Sequence, residues 1–217
     1  MKAASKETKI EPPKLPAELP AVALDGVRFR AKDDFQRGSA CGITIDEQEA
    51  HKVSFEQFVF RQVTFTSCSF TGMELTDVVF DSCDLSNMVL TESFLHRTVF
   101  RNCKLIGTDF TGSKFRNVRF RDCVGDYASF RFADFRQATF ERSSLVGADY
   151  FHAGLGKTVF SACRIDQANM AGTKLAGIDL SDCEFAGIKV DIDNVKGCIV
   201  SAQQAASFVG LLGVVVK

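Results

Sequence analysis

The sequence predicts an all-β solenoid of square coils, twenty residues to the coil, closed by a short C-terminal helix. Three observations lead there. Large apolar residues recur at every fifth position, the register runs unbroken over most of the chain, and the residue two places before each is mostly small or β-branched. A helix buries a face every 3.6 residues and a strand every 2, so a period of five belongs to neither. It belongs to a chain that turns a corner every five residues and buries its inward side chains by stacking coil on coil.

The register is explicit from Phe55 to Val200. Its thirty positions hold fourteen Phe, nine Leu, three Val, and one each of Ile, Met, Tyr and Gly. Val63, Cys68, Cys83, Cys103, Thr108, Ser113, Val118, Cys123, Ala128, Ala133 and Ala138 stand two places earlier, and the other positions of each five are mostly polar. Four corners close a coil, so residues 53–200 predict seven and a half coils. At ~4.8 Å per coil the rod is roughly 36 Å long. Gly125 is the one break in the apolar column, and it predicts a wider turn with Tyr127 or the out-of-register Phe132 packed nearby. With Asp126 and Arg131 beside it, this spot is also a candidate for recognition.

The ends differ. Residues 1–20 are rich in Lys and Pro and predict an extended, partly disordered segment. Residues 21–52, with Phe29, Phe35, Ile43 and Ile45, predict an irregular cap on the first coil. Ser201 and Gln204 have capping-box spacing. The apolar run that follows, including Phe208, Val209, Leu211 and Leu212, predicts a helix stopped at Gly213, with the closing valines as a short strand. Too short to stand alone, that helix covers the end of the solenoid, a partner chain, or both.

Composition sets further bounds. The 217 residues carry a formal net charge of −1, which predicts neither a nucleic-acid nor a membrane partner. The sequence contains no membrane-length apolar run and its start lacks a signal peptide, so a cytoplasmic location is expected. Seven of the eight Cys (68, 83, 103, 123, 163, 183 and 198) fall on the small inward position, where parallel side-chain vectors suit packing better than disulfides. Cys41 lies outside that ladder. The three His stand apart, and the phosphate-loop, dinucleotide and zinc-hydrolase motifs are absent, so neither catalysis nor a cofactor or metal is expected.

Function is therefore sought on the walls. Sorted by residue number modulo twenty, two adjacent faces are acidic. One holds Asp84, Asp126, Asp166 and Glu184 against Lys104 and Arg164; its neighbour holds Glu92, Asp109, Asp149 and Asp191 against Arg131 and Lys189. A third face, centred on residues 55, 75 and 95, is net basic, and the fourth balances. The eight carboxylates are candidate partner-binding residues; simple solvation of the wall is the competing account of each.

The repeat resembles the pentapeptide repeat family over about residues 53–200. CVGDYASFRFADF (Cys123–Phe135), EPPKLPAELP and GCIVSAQQAASFVGLLGVVVK resemble its Qnr-type, quinolone-resistance branch. The resemblance implies a right-handed quadrilateral β-helix that dimerises at its C-terminal end. It also implies a non-catalytic DNA mimic that engages a type II topoisomerase, DNA gyrase or topoisomerase IV, and protects it from quinolones. Some members carry loops that interrupt the coils; the unbroken register leaves no room for them. A scaffold or toxin-immunity module with a different protein partner is the alternative expectation.

Overall fold

The computed structural model describes residues 9–209. Every fifth residue from Lys32 to Gly177 has a positive φ, between 47° and 81°. These are the corners. Left-handed backbone costs an ordinary L-residue about 1–2 kcal/mol, which explains why Gly, Asn, Asp, Gln and Ser recur there. Three residues after each corner comes the large inward side chain, and the polypeptide closes a square in twenty residues.

The register shows in the strands. The broad side of each coil is an eight-residue strand: β1 (Asp34–Cys41), β4 (Ser54–Arg61), β7 (Glu74–Asp81), β8 (Phe94–Arg101), β9 (Lys114–Arg121), β10 (Asp134–Glu141) and β11 (Gly154–Ser161). They stack in that order as one parallel sheet, each residue pairing with the one twenty further on, as Phe35 does with Phe55. The other two sides carry the short strands β2 (Thr44–Asp46), β3 (Glu49–His51), β5 (Thr64–Thr66) and β6 (Ser69–Thr71), then single bridges such as Asp84 with Lys104 and Asp109 with Ser129. The four sides are walls A to D, with inward residues at 55, 60, 65 and 70 and at twenty-residue steps from each.

Ring stacking fills the axis. Phe60, Phe80, Phe100, Phe120, Phe140 and Phe160 form one column with neighbouring centroids 4.6–5.0 Å apart and planes within 8° of parallel. Burial contributes about 1.5–3 kcal/mol per Phe. The buried thiols pack between rings and wall, and Cys68, Cys83, Cys103, Cys123 and Cys163 each donate to the carbonyl 23 residues back, at 3.3–3.5 Å.

Three expectations need correction. The coils do not begin at residue 53. Residues 34–51 form a full coil in register with the next, because small Gly38 and Ala40 are matched by Phe58, a ring at a position that is otherwise small. A Cβ on Gly38 would lie 2.5 Å from that ring. Phe29 then closes the end, edge-on to Phe70 at 5.2 Å.

Gly125 makes no wider turn. Its N–H bonds Ser144 at 2.7 Å, as Leu105 bonds Val124, and Leu145 Cδ2 occupies the space a side chain would take. Tyr127 and Phe132 do not pack there; both are exposed.

Residues 9–20 are extended, as expected, but docked as a strap along the edge between walls A and B. Gln137 Nε2 donates to Lys9 O, Glu11 N to Asn117 Oδ1, Lys14 N to Asp77 Oδ1, and Gln57 Nε2 to Lys14 O, at 3.4, 3.2, 2.8 and 3.0 Å. Glu11 to Lys14 crosses two coils in three residues. The ~9.3 Å of an extended proline-rich segment matches two steps of ~4.8 Å.

The C-terminal expectation is met as far as the described residues reach. Helix α1 (Ala202–Val209) opens with the capping box: Ser201 N donates to Gln204 Oε1 at 2.8 Å and Gln204 N to Ser201 Oγ at 3.2 Å. Gln204 Nε2 then donates to Leu180 O and Cys183 O, pinning the helix to the last coil. Gly213 and the closing valines lie outside the described residues.

Candidate interaction surface

Walls C and D meet at the edge diagonally opposite the strap, which leaves them clear of it. On wall C, Asp84 and Glu184 belong to one axial ladder, where Thr64, Asp84, Lys104, Val124, Ser144, Arg164 and Glu184 bridge in sequence. Asp126 and Asp166 stand beside it, two coils apart. On wall D, Asp109 and Asp149 alternate with Ser129 in a second ladder. Glu92 stands at a corner with φ 57°, and Asp191 lies on the exposed last coil.

Six of these eight carboxylates also hold the wall together. Asp84, Asp109 and Asp149 accept from the N–H two residues on, of Ser86, Thr111 and Phe151, at 2.9–3.0 Å. Asp126 and Asp166 accept from the next coil, from Val146 N and from Ala186 and Gly187 N, at 2.9–3.1 Å. Asp191 accepts from Gly172 N at 2.6 Å. Each such bond satisfies a turn donor through one carboxylate oxygen, and in Asp84 and Asp149 the other oxygen meets Lys104 and Arg131.

The bonds also keep charge on the surface. Backbone donors from Ala186 and Gly187 hold Asp166 below the usual carboxylate range, and the Gly172 N–H with the Asn194 side-chain amide does the same for Asp191. Burial pushes Asp84 upward, but bonds from Ser86 and the Lys104 ammonium outweigh it, and the net direction is down.

Cations neutralise part of the surface. Lys104 pairs with Asp84 at 3.5 Å and Arg131 with Asp149 at 2.7 Å. Away from the acidic walls the pairing is two-pronged: Arg97 with Asp77, Arg101 with Asp81 and Arg142 with Asp122 each make two bonds between residues one coil apart. Modulo-twenty sorting, applied to charges of opposite sign, would have found all three.

Sequence reasoning singled out Tyr127, Phe132 and Arg131 but missed Phe151 and His152, which join them on the acidic walls. Arg131 lies over the rings of Phe151 and Phe132, 4.6 and 5.6 Å from their centroids, and Phe132 stacks on His152 at 5.9 Å. Tyr127 stands alone at the edge between walls C and D. The signal was available: Tyr127, Phe132 and His152 all fall on corner numbers.

Of the expected end-to-end interface, Phe208 and Val209 are half-buried on α1, with Phe208 edge-on to Phe185 at 6.0 Å. Leu211 and Leu212 lie outside the described residues. Among those residues no helix is long and apolar enough to cross a membrane, and no three His, Cys, Asp or Glu group as metal ligands would.

Residues 73–150 match the family model described as a pentapeptide repeat region. No curated protein matches the chain. Among solved structures, a trypsin-treated form of QnrB1, described as a plasmid-mediated fluoroquinolone resistance protein, aligns at 21% identity and a TM-score of 0.50, over 92% of this chain and 99% of that one. Full-length QnrB1 aligns at 18% identity and a TM-score of 0.33, over 83% and 99%. HetL, a pentapeptide repeat protein involved in heterocyst differentiation regulation in the cyanobacterium Nostoc, aligns at 14% identity and a TM-score of 0.31, over 78% and 90%. At these identities the likeness is one of fold. The match over residues 73–150, together with the same corner geometry from Lys32 to Gly177, gives this chain the pentapeptide repeat fold.

Proposed function

We propose that this protein acts without catalysis, in the cytoplasm, by presenting walls C and D to the DNA-binding channel of a type II topoisomerase, DNA gyrase or topoisomerase IV, and so lowers the enzyme's sensitivity to quinolones. The observation that carries the reading is the pair of adjacent acidic walls on a straight, narrow rod, left clear by the strap. From Asp84 to Glu184 is five coil steps, ~24 Å. That corresponds to about seven base pairs at ~3.4 Å each. Fixed carboxylates along such a length offer a basic channel what a duplex offers it: negative charge at regular axial intervals. The fold shared with QnrB1, a fluoroquinolone resistance protein, supports the same reading.

The charge is sparser than that of a duplex. Asp126 and Asp166, and Asp109 and Asp149, recur at every second coil, and two acidic residues are paired with cations. The recognition proposed is therefore partial mimicry. The C-terminal end, with Phe208 and Val209, joins two rods into a homodimer in this reading.

The test is a supercoiling assay of purified gyrase with and without ciprofloxacin. Restored supercoiling at modest protein ratios, weakening as salt rises, is the expected result. Absence of both rescue and inhibition at every ratio rejects the reading in favour of a scaffold with another partner. Light scattering tests the dimer, and a monomer at micromolar concentration removes that part.

A further inference from the structure

We propose that Tyr127, Phe132 and Phe151, with Arg131, form the anchor through which the acidic walls grip their partner, and that the partner surface is an apolar pocket rimmed by basic side chains. This rests on the topoisomerase reading and identifies where on the rod the contact is strongest.

Phe132, Phe151 and Arg131 touch one another at one edge of wall D, and Tyr127 stands at its other edge. Tyr127 is 68% and Phe132 54% accessible, the two most exposed large apolar residues among those described. Phe132 meets Phe151 edge-on at 5.7 Å, and Phe151 meets His152 edge-on at 4.3 Å. Arg131 bridges the two Phe rings while its Nη1 binds Asp149 Oδ2. None of these rings belongs to the core, which is complete without them.

The backbone argues that folding did not select them. Tyr127 has φ 60° and Phe132 φ 56°. In Tyr127's own axial column the other corners are Glu47, Ser67, Asn87, Gly107, Gly147 and Gln167; in Phe132's they are Lys32, Lys52, Gly72, Glu92, Gly112, His152 and Gly172. Aromatic side chains at left-handed corners go against local preference, and such departures concentrate at functional sites. Neighbouring glycines make room for the rings. A Cβ on Gly147 would lie 2.8 Å from the Tyr127 ring, and one on Gly172 would lie 2.6 Å from the His152 ring.

The surroundings define the occupant. On walls C and D the charged neighbours in register are Glu92, Asp109, Asp126 and Asp166, with Arg131 already engaged by Asp149, while Phe132 borders the basic wall A on its far side. An apolar centre with an acidic rim complements a basic surface with an apolar recess, and aromatic and Arg side chains are the residue types that dominate interface energetics. On walls C and D the carboxylates repel phosphate, which disfavours a nucleic-acid strand laid across them.

The test uses full-length Tyr127→Asn, Phe132→Asn and the double variant, because Asn already occupies corners 87, 102 and 117. Thermal midpoints and rescue of gyrase supercoiling under ciprofloxacin are measured side by side, with binding of a fluorescent single-stranded oligonucleotide as a third readout. The expected result for the double variant is an unchanged or higher midpoint with at least a tenfold rise in the concentration giving half-rescue. Undiminished rescue by the variants overturns the inference and leaves the topoisomerase reading standing. A fall in midpoint of more than a few degrees overturns it too, by making the rings structural. Oligonucleotide binding by the wild type that the variants lose replaces it with base stacking. A wild type that gives no rescue rejects the topoisomerase reading, and the inference falls with it.

Discussion

Asp77 and Arg97, one coil apart, form a two-pronged ion pair at 2.6 and 2.7 Å beneath the N-terminal strap, where the Asp77 side chain is only 4% exposed. Lys14 N donates to the same carboxylate, so one buried acid joins two coils and the strap. Breaking such a pair from the cation's side leaves an uncompensated charge. Arg97→Met is expected to cost about 3 kcal/mol in denaturant unfolding and to speed amide exchange in residues 9–20. A loss below about 1 kcal/mol with exchange unchanged would show that the pair holds neither coil nor strap.

The same pair sets an acid dependence. Burial raises the Asp77 pKa, but the bonds from Arg97 and Lys14 outweigh it and the folded value lies below the ordinary one. A lowered folded pKa contributes stability in full above the unfolded value of about 3.9, and that stability is lost as pH falls below it. The deficit of Arg97→Met relative to wild type is therefore largest near neutrality and shrinks towards pH 3. Parallel denaturation series at pH 7, 5 and 3 measure it; a deficit constant across the series removes the charge explanation.

The five-residue register made the axis legible, because only a repeat of large residues in fixed phase could produce the Phe60 to Phe160 column. What stayed illegible has specific physical causes. Ala40 and Ala50 hold inward positions in the first coil without the bulk that marks the others, and their missing volume comes from Phe58 and Phe29, both off the register. The strap was hidden because backbone groups of residues 9–14 make its bonds, and backbone carries no sequence signature. The acidic walls could be sorted from the sequence, but the use of Asp126 and Asp166 as donors' partners in the next coil could not.

Gly38 and Phe58 are a volume exchange between adjacent coils, and the exchange has a direction. Gly38→Ala puts a methyl 2.5 Å from the Phe58 ring and from Val22 Cγ2, where a ring with no exposure cannot retreat. Overpacking of this kind costs about 1–3 kcal/mol. Gly38→Ala combined with Phe58→Leu is expected to recover part of that loss. Thermal or denaturant unfolding of the single and double variants checks it, and additive losses would mean the two residues do not share the space.

Leu145 serves two coils, because it also fills the room beside Gly125, where its Cδ2 stands 3.2 Å from the position of an added methyl. Leu145→Ala is expected to cost about 4–5 kcal/mol, at the upper end for a buried leucine, since its void merges with the one the glycine leaves. Leu105→Ala, facing the same gap from the other side, should cost less. Gly125→Ala, with no positive φ to strain, should stay within about 1 kcal/mol of wild type if Leu145 shifts by a few tenths of an ångström. Equal losses for the two leucines would show that the gap is shared evenly.

Thiol reactivity gives a direct measure of whether the inward ladder is closed. Cys41 is exposed and Cys198 half-buried, whereas the other six are buried. Burial pushes the Cys163 thiol up to about 11, Cys183 to about 12 and Cys198 to about 11. Only the thiolate reacts quickly, so these groups are protected both by access and by protonation at pH 8. A maleimide or aromatic disulfide reagent on the native protein at that pH should therefore label Cys41 rapidly and Cys198 slowly. The remaining six should react only as the coils open, at a rate that rises with denaturant and follows unfolding. Mass spectrometry of the labelled peptides assigns each site. Rapid native labelling at Cys83, Cys103 or Cys123, in the middle of the stack, would mean that the walls open locally and that the rod is not the rigid ladder on which its surface charges depend.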